Sequence, residues 1–356
     1  MGELMNDLGV VVIGRNEGER LRRCLASLEK TGAVTTVYVD SGSTDGSVDL
    51  ARSMGVEAVE LDLTRPFSAA RARNAGFDRL KEVASGVRSV MFVDGDCEVV
   101  DGWLDRARAE LAARPRAAVV CGRRREVHPE ESIYNRLADL EWDTPIGRAV
   151  ACGGDSLMRS EAFEAVGGFD PTAAAGEEPE LCQRLRKAGW EIWRVDAEMT
   201  RHDLGMTRFR QWWRRQYRSG YNGLDIATRF PDPDGVFAKG LARSRAWVLG
   251  WPAAVYCAGL GGSLAGGRAV GLTLAGLALL AMPLQILRLA FKVRKRVAEP
   301  RTALAYGTLT MVAKWADVVG QVGYSIDRRH GRMARLIEYK RAEAVPSGVD
   351  RAEARP

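Results

Sequence analysis

Val90-Met91-Phe92-Val93-Asp94-Gly95-Asp96-Cys97-Glu98 runs four apolar residues straight into two carboxylates separated by one glycine. An unbroken apolar run of this length reads as a strand buried on both faces, the kind found in parallel sheets. Its end leaves Asp94 and Asp96 side by side where open α/β sheets bind ligands. Two carboxylates that close repel each other unless a cation sits between them. Hard ions such as Mg²⁺ or Mn²⁺ take oxygen ligands of this kind, often shared with a diphosphate. A strand followed by an Asp-Gly turn is the competing reading, so the flanking sequence has to decide.

Upstream the same alternation repeats. Gly9 to Ile13, Val34 to Val39 and Val56 to Leu61 read as strands, and Ala117 to Cys121 as a further one. Between them, Glu19 to Lys30 places Leu21, Leu25 and Leu28 on one helical face. Thr44-Asp45 can cap a helix reaching Met54, and Ser68 to Val83 and Asp101 to Ala113 are helical. Strands alternating with helices predict a mostly parallel sheet with helices on both faces, a Rossmann-like α/β domain over residues 1–230. Past Arg123 the regularity weakens to helices over Glu161 to Val166 and Glu178 to Ala188, and a short strand over Glu191 to Arg194. Thr207 to Gly220 reads as a helix crowded with arginine and tryptophan.

The 356 residues are 46% hydrophobic and 28% charged, which excludes a disordered chain, and the formal charge is +6. Six scattered cysteines form no CxxC pair, and three histidines are too few for a zinc cluster, so free thiols in a reducing compartment are expected. The N-terminus, with Glu3 and Asp7, lacks a charged-then-apolar leader, and Met1-Gly2 with Asn6 does not complete an acylation signal.

Pro231-Asp232-Pro233-Asp234-Gly235 breaks the chain and opens a linker over 231–245. Beyond it, 246–267 and 269–291 are each long and apolar enough for a membrane helix of about 20 residues, joined by a tight turn. Gly262 and Gly266 form a small-xxx-small pair that suits close helix packing. Arg288, Lys292, Arg294, Lys295 and Arg296 mark the cytoplasmic end, which places the N-terminal domain on the cytoplasmic side of the inner membrane. Residues 292–338 read as a basic segment whose apolar stretch, 302–326, is interrupted by Lys314 and Asp317. An amphipathic helix on the membrane surface is the expectation there, a third crossing the alternative, and 339–356 reads as a disordered tail.

Polar residues end the other strands too. Asn16-Glu17 follows the first, and Asp40-Ser41-Gly42-Ser43-Thr44-Asp45-Gly46 the second. No Gly-x-Gly-x-x-Gly loop follows the first strand. Those motifs, with Ala72-Arg73-Asn74-Ala75-Gly76, Phe92-Val93-Asp94-Gly95-Asp96, Gly167-Gly168-Phe169-Asp170 and Glu177-Glu178-Pro179-Glu180-Leu181, resemble family 2 glycosyltransferases with the GT-A fold, of the membrane-anchored bacterial type. The resemblance covers roughly residues 8 to 220. It implies an inverting transfer of a hexosyl group from a nucleotide-sugar donor, UDP-linked by preference, assisted by a divalent cation, Mg²⁺ or Mn²⁺. The implied acceptor is a lipid-linked or glycan hydroxyl at the membrane, in cell-envelope polysaccharide or glycolipid synthesis.

Carried over by position, the resemblance implies a nucleotide pocket of Asn16, Glu17, Asp40, Ser43, Asp94 and Gly95, with Arg73, or Arg71 in another register, on base or phosphate. It implies Asp96, with Asp94 and His202, around the metal. Glu178, or Glu177 beside it, is implied as the base that takes the acceptor's proton; here Glu stands where the family usually has Asp. Gln211-Trp212-Trp213-Arg214-Arg215 approaches the Gln-x-x-Arg-Trp motif of processive synthases, but Arg215 stands in place of its Trp. The rivals are a nucleotidyltransferase, a catalytically inactive sugar-nucleotide-binding scaffold and a nucleic-acid binder. No basic glycine-rich loop follows the first strand for the first, the carboxylates are intact against the second, and the arginines flank apolar spans rather than forming a nucleic-acid face.

Overall fold

The computed structural model describes residues 7–31, 35–230 and 235–332. Apolar runs become strands and the amphipathic stretches between them helices: β1 (Leu8–Gly14), α1 (Glu19–Glu29), β2 (Thr35–Asp40), α2 (Ser47–Ser53), β3 (Glu57–Glu60), α3 (Ala69–Val83), β4 (Ser89–Asp94), β5 (Cys97–Val99) and α4 (Trp103–Ala113). Then follow β6 (Ala117–Glu126), α5 (Ile133–Trp142), β7 (Gly147–Ala149), β8 (Ser156–Arg159), α6 (Ser160–Ala165), α7 (Glu177–Lys187), β9 (Glu191–His202) and α8 (Phe209–Arg229). The C-terminal part is helical: α9 (Val236–Arg245), α10 (Trp251–Gly266), α11 (Arg268–Leu279), α12 (Ala281–Val293) and α13 (Pro300–Arg329). Of the sequence expectations, Val34, the Pro231 to Asp234 break, the N-terminal leader and acylation readings at residues 1–6, and the 339–356 tail lie outside the described residues.

The sheet runs β3-β2-β1-β4-β8-β6-β9-β5, with β7 on β9. Its first half is parallel as expected, β1 pairing with both β2 and β4. The other half is mixed, because β8 inserts antiparallel between β4 and β6. Four residues are too few to carry a periodic signal, which is why β8 escapes a sequence reading. β9 runs on to His202, well past the expected Arg194, through bulges against β6 that scramble its alternation.

The Val90 to Val93 run is apolar throughout because both faces of β4 are covered. Met91 and Val93 join Val10, Val12, Leu21 and Trp103 on one side. Val90 and Phe92 join Val11, Phe77, Phe163 and Phe169 on the other. All four are fully buried, each contributing about 1.5–3 kcal/mol to the fold. α3 lies tight on the sheet at Gly76, where a methyl group would stand 2.3 Å from the Val11 side chain.

The expected linker is helical from Val236 and runs through a wide turn at Ala246–Gly250 into α10. Pro252 supplies the reason, since it lacks the N–H that a regular turn would give to Val248. Two long apolar helical stretches result, Phe237–Gly266 and Arg268–Arg296, with mean hydropathies of 1.3 and 2.0 over their apolar windows. They turn at Gly267 and pack through small residues. Gly271 sits where a methyl group would fall 1.9 Å from Ser263 Oγ and 2.4 Å from Gly259 O. The contact therefore runs through Gly259, Gly262 and Ser263 more than through Gly266, whose neighbour is Val270.

α13 lies along α8. Added methyl groups at Gly220 and Gly320 would collide with the backbone at Asp317 and Tyr217, at 1.9 and 2.2 Å. Its opposite face exposes Trp315, Val319, Val322 and Ile326 at helical spacing. The helix expected on a membrane surface thus has one face docked on α8 and one exposed.

Candidate active site

Gly14 to Glu17 and Arg20, following β1, line a cavity of about 480 Å³ together with the ends of β4 and β9 and the start of α7. Asn16 takes φ 56°, a left-handed conformation that asparagine tolerates better than most residues. There its Oδ1 accepts from the Thr44 N–H at 2.7 Å, and its own N–H donates to Ser43 Oγ at 2.9 Å. Glu17 holds Arg20 at 2.9 Å.

Asp40 is buried, and its carboxylate is fully engaged. Oδ1 accepts from the Tyr38 and Ser43 hydroxyls at 2.8 and 2.5 Å, and Oδ2 from the Gly42 and Ser43 N–H groups at 2.8 and 2.7 Å. Asp40 and Ser43 therefore stand behind the cavity and shape its wall, while Ser41 lines it. Arg71 turns away as well, donating to the carbonyls of Asp62, Arg65 and Pro66. Of the two arginine registers left open, Arg73 is the one in the cavity.

Arg73, 2% exposed, joins three carboxylates. It reaches Asp94 Oδ1 at 2.8 Å, Glu177 Oε1 at 2.6 Å and Glu178 Oε1 at 3.8 Å. Burial works against its charge, but Asp94, Glu178 and Glu177 outweigh it and hold the guanidinium protonated beyond its usual range. Glu177 is buried and bound to Arg73. Glu178 is the more open of the pair; burial, with the repulsion of Glu177, pushes its carboxyl up to about 7. Gly154 admits this approach, since a methyl group there would stand 2.8 Å from both Arg73 Nη2 and Asp94 Oδ2.

Asp96 lies under the β4 end, with Oδ2 3.2 Å from His202 Nε2. Burial, helped by Arg124, pushes His202 down to about 4, so its imidazole is neutral at neutral pH. The ring stacks on Trp142, 5.0 Å between centroids. A carboxylate oxygen beside a neutral imidazole nitrogen is a donor set a divalent ion accepts. Asp94 meets Arg124 as well as Arg73, at 3.5 Å. A carboxylate between two guanidiniums is a poor ligand, so Asp94 suits the nucleotide side better than the metal side. Cys97 lies in the same cluster, but burial raises its thiol well above the usual range, which keeps it protonated.

Residues 9–167 match the family described as glycosyl transferase family 2. Residues 9–167 thus form a glycosyltransferase family 2 domain. Among the curated relatives of this chain is the pre-mycofactocin glycosyltransferase of Mycobacterium tuberculosis, 27% identical over 266 residues, covering 70% of this chain and 53% of the relative. Succinoglycan biosynthesis protein ExoA of Rhizobium meliloti is 29% identical over 189 residues, covering 50% of this chain and 55% of the relative. The chain thus spans about half the length of the curated relatives it matches. A mannosyltransferase from Pyrobaculum calidifontis, solved with GDP-mannose and Mn²⁺, superposes with a TM-score of 0.57 at 17% identity over 90% of this chain and 88% of its own. That likeness establishes the GT-A fold.

Three residues of the candidate site escape a sequence reading. Asp155, fully buried, accepts from the Asp94 N–H at 3.0 Å and the Thr200 hydroxyl at 2.6 Å, and pairs with Arg124 at 2.8 Å. Arg124 and Thr200 come from β6 and β9. The available signals were the Gly153-Gly154-Asp155 step into a short strand and the Arg123-Arg124-Arg125 run ending β6.

Proposed function

We propose that this chain transfers a hexosyl group from a nucleotide-sugar donor, UDP-linked by preference, to a membrane-associated glycan or lipid-linked hydroxyl, with inversion and with a divalent cation. The observation that carries the reading is the convergence, in one cavity, of Arg73 with Asp94, Glu177 and Glu178 beside the Asp96–His202 pair. Asn16 and Glu17 bind the nucleotide end, and Asp94, held by Arg73 and Arg124, orients the ribose. Asp96 and His202 would hold the ion, which supplies charge neutralisation for the departing diphosphate. Glu178 lines the same cavity and removes the acceptor's proton.

The hairpin anchors the domain. Leu260, Leu264, Leu272, Leu277, Leu284 and Phe291 are exposed along it, more apolar surface than a water-facing helix pair carries. The cations from Arg288 to Arg296 favour the cytoplasmic face of the inner membrane for the domain. A relative named for succinoglycan biosynthesis supports a role in polysaccharide synthesis.

A donor screen by nucleotide release tests the reading, with the full chain in detergent and Mg²⁺ or Mn²⁺. Turnover of one nucleotide-sugar is expected, lost on chelation and in Asp96→Ala. Unchanged turnover in Asp96→Ala sinks the metal assignment.

A further inference from the structure

Two cysteines thirty residues apart in sequence meet in the fold. Cys152 Sγ lies 3.5 Å from Cys182 Sγ, so the two thiols are in hydrogen-bond contact. Both are free. Cys152 is partly exposed in the connection between β7 and β8, and Cys182 is fully buried on α7. That difference divides their roles, because an oxidant from solvent reaches Cys152 first. The hydrogen bond to Cys152, with burial, raises the Cys182 thiol well above its usual range, so Cys182 stays protonated. Cys121 is the third thiol of the neighbourhood. It donates to Trp193 O at 3.6 Å, and burial pushes it up to about 12.

The pair joins two segments that carry the site. Two residues after Cys152 comes Gly154, where a methyl group would stand 2.8 Å from Arg73 Nη2 and Asp94 Oδ2 and 3.2 Å from Glu178 Oε1. The turn therefore has no slack against the charged cluster. Asp155 follows, holding the Asp94 N–H at 3.0 Å and Arg124 at 2.8 Å. On the other side, Cys182 stands one helical turn beyond Glu178 on α7. Bonded sulfurs lie about 2.05 Å apart, so joining these two draws the turn and the helix together by about 1.5 Å. That movement is taken up where Gly154 already touches Arg73, Asp94 and Glu178.

We propose that Cys152 and Cys182 are a modification site, a dithiol that a peroxide converts to a reversible disulfide, and that the bond slows turnover by displacing the Gly154 turn against α7. The effect on turnover rests on the glycosyltransferase reading above; the bond does not. The Cys152 thiolate attacks one oxygen of the peroxide and the O–O bond breaks. The other oxygen leaves as hydroxide and takes up the proton that Cys152 released, giving water and a sulfenic acid on Cys152. The Cys182 sulfur then attacks the Cys152 sulfur and the S–O bond breaks. The departing hydroxide carries off the Cys182 proton as a second water. The two thiols together lose two electrons, which the peroxide gains. In a reducing compartment the resting form is the dithiol, and such a disulfide is transient and redox-sensing.

Hydrogen peroxide treatment of the full chain in detergent tests this, read by peptide mass mapping before and after dithiothreitol. A Cys152–Cys182 cross-linked peptide is expected, and dithiothreitol removes it. In Cys182→Ala, Cys152 lacks its resolving thiol and runs on to the irreversible sulfinic acid. Nucleotide-sugar turnover of the oxidised wild type falls by about 10- to 100-fold, the scale of a displacement of about 1 Å beside reacting groups, and dithiothreitol restores it. Cys152→Ser keeps the turnover of the reduced wild type with or without peroxide. A cross-link from Cys152 to Cys121, or sulfinic acid on wild-type Cys152 with no cross-link, overturns the site. A Cys152–Cys182 bond that leaves turnover unchanged overturns its effect on the cluster. Failure of the glycosyltransferase reading shows separately, as no turnover in the reduced wild type. The bond is then still read by mass, and its pull on the cluster by altered amide hydrogen exchange over residues 150–155 and the first turns of α7.

Discussion

One buried guanidinium, that of Arg73, neutralises Asp94 and Glu177 directly and Glu178 at longer range. Arg73→Met leaves Glu177 and Glu178 facing one another without that cation, and Asp94 with Arg124 at 3.5 Å. Breaking a buried pair this way costs about 3–5 kcal/mol, so the melting temperature of the full chain in detergent should fall sharply. A variant that melts with the wild type would mean that solvent already screens the cluster. Glu178 gives a second test. A base must be ionised, and burial with Glu177 holds this carboxyl at about 7. Its active form is depleted as pH falls below that value, so kcat/KM should rise through neutral pH and level off above. Glu178→Gln should lower kcat by about 10²–10⁴ and abolish that limb of the profile. A limb that survives in the variant assigns it to another group.

α8 and α13 pack at van der Waals distance only because glycine stands at the crossing. Gly320 faces Tyr217 O and the Tyr221 N–H, and Gly323 faces the Tyr217 ring. Tyr221, buried against α13, also donates its hydroxyl to Asp327 at 2.9 Å. Gly320→Val should push α13 outward at about 1–3 kcal/mol and raise amide hydrogen exchange along α8 and α13. Gly276→Ala, where the added methyl group meets open space, is the control and should leave exchange unchanged. Equal exchange in the two variants would show that the helices do not depend on this contact. Both helices wall a cavity of about 750 Å³ that reaches Glu178, so the docking of α13 shapes that cavity as well as stability.

At the scale of the molecule, an α/β domain with its site at the strand ends meets a helical hairpin whose outer surface is apolar. Cys257 lies on that surface, exposed in the isolated chain. In native membranes a water-soluble maleimide should leave Cys257 unmodified, and detergent should open it to labelling, read by mass spectrometry of the peptide. Full labelling before detergent would place the hairpin in water.

The sequence alone determined what depends on local pattern. Val90 to Val93 had to be a strand covered on both faces, Asp94 and Asp96 had to fall at its end, and two uncharged stretches had to form long apolar helices. These follow from periodicity and from the acidity of a few side chains, which no distant contact changes. Tertiary structure decided which polar groups meet. Arg73 and Arg71 are two residues apart on α3, yet only Arg73 turns into the cavity. Asp40 reads as a strand-end carboxylate in sequence, and the fold ties it to Tyr38, Gly42 and Ser43. Asp155 and Arg124, without motif, come to Asp94 because β8 inserts antiparallel between β4 and β6. The pairing of α13 with α8, far apart in sequence, created the second cavity. Such meetings depend on strand order and on close approach at glycine, which residues far apart in the chain settle together and no short window encodes.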